Sequence, residues 1–174
     1  MLTLGQSLIN KSVLSLRGGA PIGQVSAVLI DPNNLKIEGW FAADRFSKQR
    51  GILLAQEIRD LIPQGFVVND DDAITPPEDL VRLKPVLALH FELIEKPVIT
   101  ENGGKLGKVT DYAFDKESMF IQKLYVSQSM LKSFSGGTLN IDRTQIVEVT
   151  NRKIVVTEAT VTDQSAIPSP VPAQ

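Results

Sequence analysis

The chain of 174 residues contains no cysteine, so disulfides, thiolate metal sites and thiol nucleophiles are excluded together. A single histidine, His90, leaves no second imidazole for a metal site and no credible base for a serine triad. Excess positive charge is missing too. The formal net charge is −2, which argues against generic binding to nucleic acid or to an anionic membrane surface. No apolar run approaches the roughly 20 residues of a membrane span. The opening MLTLGQSLINKSVL lacks the charged start and sustained apolar stretch of a secretory signal. Together these absences predict a soluble cytoplasmic protein that is not an enzyme and works without metal, cofactor or membrane.

What the chain does have is a second copy of its own beginning. Residues 8–31, LINKSVLSLRGG followed by APIGQVSAVLID, return at 93–115 as LIEKPVITENGG followed by KLGKVTDYAFD. At an offset of 85, Leu8, Ile9, Lys11 and Val13 meet Leu93, Ile94, Lys96 and Val98, and Gly18-Gly19 meet Gly103-Gly104. One residue is then dropped, and Gly23, Val25 and Asp31 meet Gly107, Val109 and Asp115 at an offset of 84. An internal repeat means that one folding unit is written twice. The division it predicts is 1–84 for the first unit with a linker, 85–163 for the second, and 164–174 for a tail.

Within each copy the pattern is that of short strands. Residues 12–16 alternate and are stopped by turn formers from Arg17 to Pro21, and 24–30 is apolar on both faces before the Asp31-Pro32-Asn33-Asn34 turn. Residues 36–42, 51–55 and 65–68 continue as strands, with 56–62 a short turn or strand before Pro63. The second copy repeats the order at 97–100, 108–114 and 120–126, then runs through 138–149 and 153–156. Between the copies, 76–83 reads as one or two helical turns with proline and acids at its start, ended by Lys84-Pro85. The tail is rich in proline and small residues, and its composition predicts disorder.

The strand, Gly-Gly, Gly-x-Val, strand, Asp arrangement resembles the PRC-barrel family, the small β-barrel of the photosynthetic reaction centre H subunit and of the C-terminal half of a bacterial ribosome-maturation factor. Gly18-Gly19, Ile22-Gly23-Gln24-Val25 and Asp31 carry the resemblance in the first copy. Gly103-Gly104, Leu106-Gly107-Lys108-Val109 and Asp115 carry it in the second, and Ile58 and Ile146 stand where the family has a late strand isoleucine. The resemblance implies an all-β protein of two tandem small barrels with about six strands each, joined by a short helical linker. It also implies docking rather than chemistry, because the family offers no shared active site.

Catalytic constellations are absent from the sequence. Asn69-Asp70-Asp71-Asp72 lacks the spacing and glycine of a calcium loop. The double glycines precede strands rather than helices, so they read as turns and not as phosphate loops. Asp142-Arg143 reads as a surface pair. Function is therefore expected where the copies disagree, in the loops after Ala42 and after Val126. The first offers the basic cluster Arg45, Lys48 and Arg50 with Phe46; the second offers the adaptable apolar side chains Met130, Leu131 and Phe134. The expected role is a non-catalytic adaptor that docks another protein. Alternatives are a ribosome-assembly or RNA-associated factor using residues 45–50, and an adaptor of a cell-division complex.

Overall fold

The computed structural model describes residues 1–128 and 137–158. Alternating apolar residues punctuated by glycine and Asx turns fold as hairpins, and the first half supplies β1 (Leu2–Leu4), β2 (Ser12–Ser15), β3 (Pro21–Asp31), β4 (Lys36–Asp44), β5 (Arg50–Leu54), β6 (Ile58–Ile62), β7 (Gly65–Val68) and β8 (Ile74–Thr75). After the linker and its helix α1 (Lys84–Ala88) come β9 (Pro97–Thr100), β10 (Lys105–Asp115), β11 (Ile121–Ser127), β12 (Thr138–Asp142), β13 (Ile146–Val149) and β14 (Ile154–Val156).

Two sheets result. The first runs β6-β7-β2-β3-β4-β5-β8, and the second runs β13-β14-β9-β10-β11-β12 with β1 added along β10. Neighbours are antiparallel except β2 with β7 and β9 with β14, which are parallel. The all-β expectation holds, and of the expected barrels the structure shows two barrel-like sheets, neither of them closed. Each has seven strands rather than six, because β8 extends the first and β1 the second.

The repeat is physical as well as textual. The burial patterns of β3 and β10 differ at one position, where half-buried Val28 faces buried Tyr112. Left-handed backbone recurs at Asn10 and Glu95 (φ 66° and 69°) and at Leu35 and Met119 (φ 54° and 62°). The dropped residue, however, lies earlier than the letters suggest. Gly19 (φ 66°) donates its N–H to Ser15 four residues back, whereas Gly103 (φ 85°) donates to Thr100 three back. The extra residue belongs to the first turn itself, and Gly19 rather than Gly18 is the counterpart of Gly103.

The lead-in to each half crosses to the other half. β1 pairs with β10, Leu2 opposite Asp115 and Leu4 opposite Ala113. Conversely, Leu83 before α1 joins Leu29 and Ile52 of the first half in a small core, with Val86 and Leu87 packed against it. The linker helix is also corrected. Residues 77–79 and 81–83 form two 3₁₀ turns, and the α-helix begins at Lys84 where the sequence predicted an end. Pro85 sits in the first turn, where its missing N–H costs nothing.

The main core is continuous across the two halves. Trp40 stands edge-on to Phe66 at 5.0 Å and tilted to Phe114 at 6.0 Å, and Phe114 reaches Tyr112 at 6.4 Å. Each such pair adds about 0.5–1.5 kcal/mol beyond area burial. Because Trp40 belongs to one sheet and Phe114 to the other, part of each sheet's stabilisation is held by its neighbour.

Candidate functional site

The turn after β4 is built on Asp44. Its carboxylate accepts the N–H of Phe46 at 2.7 Å and of Ser47 at 3.3 Å. Its backbone accepts from Lys48 and donates to Gln49, at 2.9 and 3.0 Å. An aspartate holding its own downstream amides is the usual way to fix a tight turn. The result is a small hydrogen-bonded loop in which Phe46 is 70% exposed.

The cations of this loop are separated rather than pooled. The Arg45 N–H donates to the Ile22 carbonyl at 2.8 Å, and its guanidinium donates to the Pro21 carbonyl at 3.2 Å. Arg50 lies over the Phe41 ring at 4.0 Å. Lys48, in left-handed backbone (φ 57°), is exposed. Two of the three positive charges thus fasten the loop to β3 and β4. The predicted residues Arg45, Phe46, Lys48 and Arg50 lie in and beside one turn, and all four are exposed. The predicted apolar trio of Met130, Leu131 and Phe134 lies outside the described residues, as does the tail from 164 onward.

Other singled-out residues take structural places. His90 is exposed, in left-handed backbone at the end of the linker (φ 47°). In the acidic turn, Asp70 approaches Arg17 at 3.4 Å with both side chains more than half exposed, and Asn69 accepts from Arg59 at 3.1 Å. Among the described residues no three potential metal-ligating side chains converge, and no helix is long and apolar enough to cross a membrane. The surface pair expected of Asp142 and Arg143 is corrected. Asp142 donates its N–H to the Gln145 side chain at 2.8 Å. Arg143 lies over Phe120 at 5.0 Å and donates to the carbonyls of Ile121, at 2.9 Å, and of Asn34 in the other half. It is a seam residue, and only the pairing of the two halves shows it.

One charged side chain that the sequence did not single out for a role is buried. Lys96, 7% exposed, donates to the Asn151 carbonyl at 2.6 Å and lies over the Phe91 ring at 4.7 Å. Burial lowers its pKa, partly offset by the negative charge of Glu92. Asn151 in turn donates to the Leu89 carbonyl at 2.8 Å. The lysine therefore clasps the β13–β14 turn to the start of the second half.

Residues 89–162 match the PRC-barrel domain, which places that domain on the second sheet and its lead-in. No curated protein matches the chain closely enough to count as a relative.

Proposed function

We propose that the chain is a non-catalytic docking protein: two PRC-type units arranged in tandem, with the Phe46 turn presented to another protein. The reading of the first half as a second such unit is supported by its strand order, which over six strands, β6-β7-β2-β3-β4-β5, repeats the β13-β14-β9-β10-β11-β12 order of the matched half. The observation that carries the docking reading is Phe46 itself. It is an aromatic side chain left 70% exposed on a loop held by Asp44, Arg45 and Arg50. Such a side chain suits a complex, because aromatic residues supply much of the binding energy at protein interfaces.

The RNA reading of the same loop has less support, since Arg45 and Arg50 already have partners within the protein. Cell-division and ribosome-assembly settings rest on resemblance alone. The test is capture from the native cell with the full chain and with Phe46→Ala. Loss of the co-purifying protein with an unchanged melting temperature supports docking through Phe46. Undiminished recovery removes it, and binding to RNA that weakens steeply with salt would favour the alternative.

A further inference from the structure

At the end of β10 away from the seam, the second half carries a groove of about 760 Å³. Pro97 and Ile99 of β9, Gly107 of β10, and the charged side chains of Lys105, Lys108 and Glu95 are among the residues that line it. Strict alternation would place residues 105 and 108 on opposite faces of a strand. The register shift between Lys105 and Gly107 leaves both exposed. Lys108 reaches Glu95 at 4.0 Å, a long contact between two side chains more than half exposed, which a better partner can displace.

A groove of about 470 Å³ occupies the corresponding place in the first half, where Ser12, Gly23 and Gln24 line it as Pro97, Gly107 and Lys108 line the second. Cations outnumber anions at both: Arg45 and Lys48 against Asp44 at the first, Lys105 and Lys108 against Glu95 at the second. The feature therefore belongs to the scaffold, and the second copy is its larger and more apolar form.

We infer that the second groove binds an extended segment of another protein in which acidic and apolar side chains alternate. The apolar ones cover Pro97 and Ile99, and the acidic ones meet Lys105 and Lys108. An extended segment presents its two kinds of side chain in alternation, which suits a groove whose lining mixes apolar and cationic residues. A second copy of this chain is disfavoured, because bringing either groove to the other's loop sets cation against cation. Single-stranded RNA is disfavoured as well, because among the described residues no aromatic ring lines the groove to stack a base. This inference goes beyond the Phe46 reading and stands on different residues.

The test uses the full chain as bait for a phage-displayed random peptide library, followed by anisotropy titration of the selected peptides. Selected sequences should alternate Glu or Asp with Val, Ile or Leu. The Lys105→Glu/Lys108→Glu variant, and separately Ile99→Asp, should weaken their binding at least about tenfold. Phe46→Ala should leave it unchanged, which separates this site from the one above. The Lys105→Gln/Lys108→Gln variant serves if charge reversal disturbs the fold, and circular dichroism reports that disturbance. Three outcomes overturn the inference: no sequence enriched above background, selected peptides indifferent to both lysine variants, or preferential binding of a short oligouridylate that either variant abolishes.

Discussion

Leu35 and Met119, related by the repeat offset of 84, each hold the other's half in place. The Ile37 N–H donates to the Met119 carbonyl at 2.8 Å, and the Ile121 N–H donates to the Leu35 carbonyl at 2.9 Å. Applying the offset to either bond gives the other, which is the signature of a local twofold axis passing between the β3–β4 and β10–β11 turns.

Both residues take left-handed backbone, at φ 54° and 62°, a conformation that costs a residue with a side chain about 1–2 kcal/mol. Leu35 is also buried, at 4% exposure, so Leu35→Ala should cost about 2–5 kcal/mol through the cavity it leaves. Leu35→Gly loses nearly the same packing but relieves the backbone. The usual order is therefore expected to invert, with Leu35→Gly no less stable than Leu35→Ala in urea denaturation.

Gly5 rests against the Tyr112 ring, where a Cβ would overlap the ring carbons, and its N–H donates to the Tyr112 carbonyl at 2.8 Å. Gly5→Ala is expected to destabilise by about 1–3 kcal/mol through overpacking. Shrinking the ring in a Gly5→Ala/Tyr112→Leu double variant should recover part of that loss beyond additivity. Thermal melts of the two single variants and the double variant close the cycle.

The Tyr112 side chain is 1% exposed, and no described protein group lies within hydrogen-bond reach of its hydroxyl. Burial, with a smaller contribution from Asp111, raises the pKa of that hydroxyl well above the ordinary tyrosine value. Removing an unpaired buried hydroxyl while keeping the ring relieves a desolvation cost of about 1–3 kcal/mol. Tyr112→Phe should thus match or exceed the parent chain in stability; a loss of more than about 1 kcal/mol would mean that the hydroxyl has a partner.

Asp115 closes the β10–β11 turn. The Ser118 amide at 2.9 Å and hydroxyl at 2.7 Å hold its carboxyl below the usual aspartate range, with burial opposing and the Met1 ammonium assisting. Since its pKa is lower when folded, its contribution is fully present above the unfolded value, near 3.9, and is lost as pH falls through the folded one. Ser118→Ala should move the Asp115 titration upward toward the ordinary value and flatten the acid limb of stability. Carboxyl chemical shifts followed across pH measure the first effect, and melts between about pH 2 and 5 measure the second.

Much of the scaffold was legible because it is local. Alternation marked most of the strands, Gly-Gly and Asx pairs marked the turns, and the repeat related the two sheets. What escaped was set by distance along the chain. Three residues at Leu2–Leu4 are too few to show a period, and β1 exists because β10 offers it an edge more than a hundred residues later. Lys84-Pro85 was read as a stop because proline ends helices from within, yet it can begin one. Arg143 looked like a partner for Asp142 next door, while its carbonyl acceptor Asn34 lies in the other half. At the candidate site, composition showed a basic loop with an aromatic. It could not show that Arg45 donates to the Pro21 carbonyl and Arg50 lies over Phe41, while the Phe46 side chain stands exposed without such a contact among the described residues.

The crossed lead-ins make this chain, in its contacts, a symmetric dimer with one additional covalent connection. Two identical subunits must carry every surface in duplicate, so a change that suits one ligand is imposed twice. Joined subunits escape that constraint: Trp40 can stand where the other copy has Leu124, Ser12 where it has Pro97, and Phe46 can occur once. The same connection makes assembly independent of concentration, because the second subunit is always present at the effective concentration its tether sets. Cutting the chain between α1 and β9 should therefore convert a folding problem into a binding one, with stability that rises as the two fragments are concentrated.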